Sequence, residues 1–187
     1  MGGSLDMEVF AMSKIDHQIV GVSVAVLMFL FLESLGYGNY IRFGAGFLAF
    51  WGGTAPDWLE IAHAERDYNG KWQRVSLIPH RTFTHWLPLW IIPTLVLLWI
   101  LPRGAAILRH PNHADVLALL LAFLAGGISH LLCDLPNPTG IPVLLPGAKH
   151  RISLRLWRSG SGFEWIEIAL FWGVTFLVWA YLPGAVR

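Results

Sequence analysis

Six residues with metal-binding side chains recur where the apolar segments of this sequence begin or end. They are four histidines and two aspartates: His17, Asp57, His80, His85, His130 and Asp134. Ionisable groups at the borders of membrane segments are energetically costly and usually functional. Imidazoles combined with carboxylates form the ligand set of zinc, manganese or iron sites. The number of donors suffices for two ions that share a bridging water, an arrangement that cleaves phosphoesters.

The spacing within two pairs restricts how they can act. His130 and Asp134 are four residues apart, which on a helix places both on one face, able to chelate one ion or two adjacent ions. The alternative is a polar helix end in which the two side chains hydrogen-bond each other. His80 and His85 are five residues apart and face one metal only if the backbone bends between them; Thr84 is expected to cap the following helix. The alternative here is a loop with solvated histidines.

Other residues are expected to assist such a site. Arg81 is predicted to bind an anionic group, because guanidinium matches phosphate or carboxylate in a bidentate way; an ordinary arginine beside the membrane is the alternative. Glu164 is expected to be a further ligand or a general base.

Gly52 and Gly53 would let the backbone approach a neighbouring helix or the site closely. Basic and apolar residues alternate over 149–158, which favours an amphipathic segment on anionic lipid headgroups or, alternatively, a lid over an anionic substrate.

The elements that must position these residues are apolar. Residues 19–35, 41–55, 86–101, 116–132 and 165–182 form five apolar stretches, and a spanning helix needs roughly 20 residues. Of the 187 residues, 55% are hydrophobic and only 13% charged, about half the charge of a soluble domain. We therefore predict an all-α, polytopic membrane helix bundle of four or five transmembrane helices, in which residues 1–187 form a single domain. The second stretch, short and glycine-rich, either spans or is tilted or partly re-entrant.

The net charge and the cysteine content exclude further kinds of partner and of site. The net charge of +1 provides no basic field for nucleic acid, and the single cysteine excludes an internal disulfide or a cysteine-based zinc finger. If all five stretches span, the side carrying the candidate ligands has nine Lys and Arg residues and the other side four. Positive residues favour the cytoplasm. The N-terminus and the site are therefore expected on the cytoplasmic face of the inner (plasma) membrane.

The ordered motifs resemble those of a known family. His17, Gly53-Thr-Ala-Pro-Asp57, His80-Arg-Thr-Phe-Thr-His85 and Ser129-His-Leu-Leu-Cys-Asp134, followed by Gly140 and Leu144-Leu-Pro146, are similar to motifs of the YdjM-like inner-membrane proteins. These bacterial and archaeal proteins are described as predicted metal-dependent hydrolases, and by similarity the six residues named above are the metal residues. A weaker likeness is to the zinc-dependent phospholipase C and P1 nuclease group. Where the family usually has a second acid two residues after the Pro-Asp pair, this chain has Leu59, and Glu60 or Glu65 is expected to replace that acid.

These observations predict a membrane-bound metal-dependent hydrolase of phosphoesters, including those of lipids, that uses a metal-activated water. It would hold one to three divalent ions, zinc first with manganese or iron as alternatives; Arg81 would bind the anionic group and Glu164 would handle the proton. The expected partners are membrane lipids and an anionic small-molecule or lipid substrate, without nucleic acid; the oligomeric state is left open. Two alternatives remain: a metal or proton transport protein, and a structural membrane subunit with a non-catalytic metal site.

Overall fold

The computed structural model describes residues 3–103, 111–147, 150–158 and 160–182, and these are mostly helical. In chain order the elements are α1 (Gly3–Ser34), α2 (Asn39–Gly52), α3 (Ala55–Trp58), β1 (Ala62–Arg66), β2 (Trp72–Ser76), α4 (Leu87–Ile100), α5 (Pro111–Asp134), β3 (Ile141–Pro142), β4 (Arg151–Ile152) and α6 (Trp165–Tyr181). The strands form two small antiparallel sheets, β1 with β2 and β3 with β4. Lys149, Arg109 and Arg187, which entered the charge count, lie outside the described residues.

Each of the five apolar stretches forms a helix, so the mostly helical fold is confirmed. Among the described residues, two helices contain a segment long and apolar enough to cross a membrane, Ile15–Ser34 in α1 and His113–Asp134 in α5. The helices α2 and α4 have 14 residues and α6 has 17. At 1.5 Å per residue these are about 21 and 26 Å long, against a hydrocarbon core of about 30 Å. The prediction of four or five spans therefore stays a prediction.

The two sheets correct the all-α prediction. Strand β1 is exposed along its whole length, so it carries no buried face that hydrophobic alternation could reveal. The turn that joins β1 to β2 is held by Asp67, whose carboxylate accepts hydrogen bonds from the N–H groups of Asn69 and Lys71. The hairpin is thus specified by its turn and not by burial.

Two adjacent glycines of α5 set the distances to its neighbours. A Cβ atom on Gly126 would lie 2.1 Å from the carbonyl oxygen of Ala49, and one on Gly52 would lie 2.0 Å from that of Phe123. The main chains of α2 and α5 are therefore in direct contact, and the predicted close approach at Gly52 is confirmed. A Cβ on Gly127 would meet the buried ring of Trp90 at 1.9 Å, so α4 packs equally closely on another face of α5.

Successive long helices run in alternate directions, with α2 packed against both α1 and α5, and α6 packed against α1. The beginning of the apolar part of α1 (Ile15–Ser34), the end of α2, the beginning of α4 and the end of α5 consequently meet at one end of the bundle. The contacts that show this are the stacking of His17 on His130, the hydrogen bond between His130 and Gly53, and the proximity of His85 to Asp134. We call this end of the bundle the ligand end.

Candidate metal centre

Two imidazoles and two carboxylates meet at the ligand end with nearly equal separations. The Nε2 atom of His85 lies 3.6 Å from Asp57 Oδ1 and 3.4 Å from Asp134 Oδ2. The Nε2 atom of His130 lies 3.8 Å and 3.6 Å from the same two oxygens. These distances are longer than ordinary N–H···O hydrogen bonds. They are close to the separation of about 3.3 Å between tetrahedral ligands that each lie about 2.0 Å from a zinc ion. The four atoms surround a common point.

Hydrogen bonds on the far side of each ring fix how the rings face this point. The Nδ1 atom of His130 lies 2.9 Å from the carbonyl oxygen of Gly53, which only accepts, so Nδ1 carries the hydrogen and Nε2 presents its lone pair. The Nδ1 atom of His85 lies 3.3 Å from Glu60 Oε1 and 3.1 Å from Thr84 Oγ1. Metal-binding histidines almost always use their second nitrogen in this manner. Both rings have the orientation of metal ligands.

Buried atoms without a partner show that the donor set fits a cation. Within the described part of the chain, His85 Nε2, Asp134 Oδ2 and His17 Nδ1 are buried and make no hydrogen bond. A buried polar atom left unpaired costs about 1–3 kcal/mol, so such atoms in a native fold require an explanation. Two of the three belong to the four-atom arrangement, where a divalent cation would satisfy them together.

The structure brings Glu60, and not Glu65, to the centre. The Glu60 carboxylate is fully buried, lies 2.7 Å from His80 Nδ1 and accepts a hydrogen bond from the main-chain N–H of Arg81 at 3.2 Å. Glu65 lies in β1 with an exposed side chain. Glu60 thereby ties the loop that precedes α4 to the short helix α3. Its closeness to Asp57 in the chain, three residues against eight for Glu65, is the sequence signal that favours it.

All six residues singled out in the sequence lie at this centre, together with Glu60. They form two adjacent groups, in each of which the ligand atoms are within 4.8 Å of one another: Asp57, Glu60, His80 and His85, and His17, His130 and Asp134. The ring of His17 stacks on that of His130 at 4.0 Å between centroids. The side chains of His80 and Asp57 are 45% and 28% exposed, whereas His85 and His130 are buried, so the centre is open on the side of His80 and Asp57.

Hydrogen bonds at Thr84 hold the loop before α4 next to His85. The Nε1–H of Trp90 donates to the carbonyl oxygen of Thr84 at 2.7 Å, which fixes the backbone next to His85. The prediction that Thr84 caps α4 is wrong. The N-cap residue of α4 is Trp86, and no side chain makes a capping hydrogen bond there. The Thr84 hydroxyl lies instead beside the ring of His85, because the chain is still extended at Trp86 and α4 starts later than the sequence suggested.

Arg81 is buried at the centre and has an unusual backbone. Its φ angle of 57° is in the left-handed region, which only a minority of non-glycine residues occupy. Its Nη2 atom donates to Asp134 Oδ1, which directs the other carboxylate oxygen of Asp134 toward the two imidazoles. The Nε and Nη1 atoms are buried and have no hydrogen-bond partner in the described ranges. Arg81 therefore orients one ligand and keeps two donors for another acceptor.

Glu164 lies beside the centre and outside both ligand groups, as far as the described residues go. Its Oε1 accepts a hydrogen bond from the N–H of Gly160. Together with His17 it lines a cavity of about 10 Å³, whose other walls are Asp16, Cys133, Asn137, Trp157 and Glu167. A cavity of this size holds roughly one water molecule.

The charges of the centre act on one another. Burial alone would raise the pKa of Asp57, but the nearby ring of His85 and the charges of His130 and His17 outweigh it and hold that pKa well below its usual value. Burial alone would lower the pKa of His85, yet the nearby carboxylates of Asp134 and Asp57 raise it above the ordinary value. The Asp57 carboxylate is thus ionised and able to bind a cation.

Comparison with known proteins places the chain in a family. Neither a curated protein nor a solved structure matches it. A family model described as YdjM inner membrane protein matches residues 12–186, a range that includes every residue of the centre described above. With nearly the whole sequence matched and two helices apolar enough to cross a bilayer, this chain belongs to the YdjM inner membrane protein family.

Proposed function

We propose that this membrane protein is a metal-dependent hydrolase of phosphoesters. The observation that carries the proposal is the convergence of His85 Nε2, His130 Nε2, Asp57 Oδ1 and Asp134 Oδ2 on one point at separations of 3.4–3.8 Å. A site with two histidines and two carboxylates suits zinc, and manganese or iron would also bind such ligands. His17, Glu60 and His80 lie next to these four residues and add further donors, which gives room for a second ion that shares ligands with the first.

The residues around this point have complementary tasks. A bound divalent cation supplies Lewis acidity toward a phosphoryl oxygen and lowers the pKa of a water molecule. The unpartnered Nε and Nη1 atoms of Arg81 suit the oxygens of a phosphate, and their burial strengthens the interaction because water does not screen it. Glu164 and His17 line the same cavity of one-water size, so a water molecule bound there would carry a proton to Glu164. The open side at His80 and Asp57 lets a substrate enter.

Metal content and turnover test the proposal together. Full-length protein purified in detergent is assayed by plasma mass spectrometry and with bis(p-nitrophenyl) phosphate, comparing wild type with Asp134→Asn and with Asp115→Asn. Asp115 lies on the same helix, near its other end, and serves as the matched control. We expect near-stoichiometric metal and hydrolysis in wild type and Asp115→Asn, and the loss of both in Asp134→Asn. Wild type that stays empty after reconstitution, or an Asp134→Asn variant that still hydrolyses the substrate, would overturn the proposal.

A metal that only holds the helices together is the second candidate. It is favoured by the origin of the ligands, which come from α1, α3, the loop before α4, and α5. Bound metal that raises the unfolding temperature in the absence of hydrolysis of any phosphodiester offered would identify this role. The exposure of His80 and Asp57 favours the enzyme, because a purely structural site is normally closed on all sides.

We also propose that the protein crosses the inner membrane several times with the ligand end in the cytoplasm. The charge count that led to this orientation assumed that the second apolar stretch spans. Because α2 returns the chain to the end where α1 starts, the same residues fall at each end of the bundle whether or not α2 crosses the full bilayer. The excess of Lys and Arg that the sequence predicts for the side of the candidate ligands, nine against four, supports the orientation.

Thiol labelling in intact cells tests this orientation. In a Cys133→Ala background, single cysteines replace Asn69, in the exposed hairpin turn at the ligand end, or Arg103, exposed at the other end. An impermeant maleimide applied to spheroplasts should label the Arg103→Cys protein at once and the Asn69→Cys protein only after lysis. The opposite pattern would reverse the orientation.

A further inference from the structure

Residues 150–158, which we call the strap, lie along the chain that follows Asp134. The N–H groups of Leu154 and Leu156 donate to the carbonyl oxygens of Leu135 and Pro136, both at 2.9 Å. The strap is extended and β4 is its one regular element, so the amphipathic segment expected from the sequence is not a helix. These bonds fix the strap at the ligand end, next to the metal-binding residues of α5.

The strap carries positive charge that the described protein does not neutralise. Arg151, Arg155 and Arg158 are exposed, and their guanidinium groups have no hydrogen bond or ion pair with any residue that the structure describes. By contrast, Arg42 pairs with Glu33 at 2.7 Å, at the other end of the bundle. Three guanidinium groups within eight residues and without counter-charges attract anions from the surroundings.

Two of these arginines line a groove with rigid walls. Arg151 and Arg155 border an open space of about 450 Å³ with Pro138, Thr139 and Ser153. The Ser153 hydroxyl donates to the carbonyl oxygen of Asn137 at 2.6 Å and accepts from the N–H of Arg155 at 3.0 Å. Arg155 has a φ angle of 53°, a conformation that non-glycine residues keep where the surroundings impose it. The groove is therefore held in shape by its own hydrogen bonds.

The opposite wall depends on a glycine. Gly140 has a φ angle of 61°, and a Cβ atom there would lie 2.5 Å from the carbonyl oxygen of Ile152. The turn that contains Thr139 is closed by a hydrogen bond from the Gly140 N–H to the carbonyl oxygen of Asn137, at 3.0 Å. This turn and β4 are thus in direct main-chain contact, which fixes the distance between Thr139 and Arg151 across the groove.

Apolar side chains place the groove at the depth of lipid headgroups. Large apolar residues of the strap and of the loop before it are exposed: Leu144, Leu145, Ile152, Leu154 and Leu156. The strap follows the apolar end of α5 and precedes Trp165, which is 70% exposed at the start of the apolar helix α6. Exposed tryptophans at the ends of apolar helices are typical of the membrane interface, as are basic residues interleaved with apolar ones.

We infer that this groove binds the phosphate of an anionic phospholipid, with the guanidinium groups of Arg151 and Arg155 on the phosphate oxygens. The exposed leucines of the strap contact the acyl region, which makes a membrane lipid the occupant and not free phosphate. Binding in this groove uses none of the metal ligands, so it is independent of the proposed hydrolase activity. If the protein is a hydrolase as proposed, the groove brings phospholipid to the ligand end, and phospholipids are then the substrate class.

Native mass spectrometry of the full-length protein in neutral detergent tests the inference. The protein is titrated with phosphatidylglycerol and with phosphatidylcholine of the same acyl chains, and the bound lipids are counted. The groove variant Arg151→Gln/Arg155→Gln is compared with Arg66→Gln/Arg103→Gln, which removes two exposed arginines that stack on tryptophans outside the groove. We expect the groove variant to bind phosphatidylglycerol about thirtyfold more weakly and the control to stay within about twofold of wild type.

Each other outcome contradicts the inference. Equal losses in the two double variants would show a general charge effect with no groove site. Wild type without preference for phosphatidylglycerol would exclude recognition of an anionic lipid. Displacement of the lipid by inorganic phosphate at the same concentration would show that the groove recognises phosphate alone. The variant Arg151→Lys/Arg155→Lys keeps the charge and should retain most of the binding, which separates loss of charge from misfolding.

Discussion

Replacement of Glu60 by glutamine removes one charge from the centre and keeps the shape of the side chain. The carboxylate of Glu60 is fully buried and close to three groups that can donate hydrogens: His80 Nδ1 at 2.7 Å, the N–H of Arg81 at 3.2 Å and His85 Nδ1 at 3.3 Å. All three contacts are made to the same oxygen, Oε1, and the amide oxygen of a glutamine can accept in that place. The contacts then become neutral hydrogen bonds, and His85 loses the negative charge behind its ring.

The expected effect is a weaker affinity for metal. Loss of a carboxylate that supports a metal-binding histidine typically reduces the affinity by about 10- to 100-fold, equivalent to about 1.4–2.8 kcal/mol. A hydrogen bond to a charged acceptor has a similar value, about 1.5–3 kcal/mol, so the two estimates agree. Competition of the detergent-purified protein with a fluorescent zinc chelator measures the dissociation constant. Thermal unfolding of the metal-free forms separates a loss of affinity from a loss of folded protein.

Glu65→Gln is the matched control for this experiment. The side chain of Glu65 is 60% exposed and lies 3.9 Å from His63. An exposed pair of this kind contributes little, so zinc affinity should be that of wild type. Wild-type zinc affinity in Glu60→Gln, or an equal loss of affinity in Glu65→Gln, would show that Glu60 does not support the metal ligands.

Further substitutions test the helix contacts and Arg81. Gly126→Ala would place a methyl group 2.1 Å from a carbonyl oxygen of α2, so we expect a loss of about 1–3 kcal/mol in unfolding free energy, whereas Gly173→Ala, with no described atom within 4 Å, should be nearly neutral. Equal effects on unfolding in the two variants would contradict the main-chain contact. The Ser23 and Thr175 hydroxyls, 2.7 Å apart, should show a coupling of about 0.6–1.7 kcal/mol in a double-mutant cycle of the two alanine variants, and additive losses would mean that the bond contributes nothing. Arg81→Lys keeps the positive charge without the planar fork, so metal content should persist while hydrolysis slows about ten- to a hundredfold; an unchanged rate would remove Arg81 from the reaction.

The helices were predictable because their signal is local. Each apolar stretch of the sequence corresponds to one helix, with ends that differ by a few residues. The β1–β2 hairpin was missed because its strands are exposed and polar, which leaves no hydrophobic period to detect. The Asn69-Gly70 pair in its turn is a hairpin signal that does not depend on burial, and it would have indicated the sheet.

The sequence indicated which residues form the metal centre, but it did not indicate how all of them are arranged. The residue types and their places at helix ends indicated which side chains would meet, because such ends lie at a common depth. The choice between Glu60 and Glu65 depended on the turn that follows α3, and a four-residue helix has no detectable period. The burial of Arg81 and its bond to Asp134 follow from a left-handed backbone at a residue other than glycine, which the sequence does not reveal. The alternation of charges with leucines indicated that the strap is amphipathic, but its hydrogen bonds go to the chain after α5, a distant partner that the sequence pattern does not reveal.

The contact between α2 and α5 has a consequence for the accuracy of the centre. The carbonyl oxygen that orients His130 belongs to Gly53, one residue beyond the point where the two main chains touch. No side chain lies between the helices there, so the position of that oxygen depends on bond lengths and helix geometry and on no rotamer. Substitutions on the lipid-facing surfaces of the bundle leave this spacing unchanged, whereas a single added methyl group between the two helices would move an imidazole that it does not touch. The geometry of the ligands therefore depends on the glycines at this contact, whose side chains can neither bind a metal nor take part in a reaction.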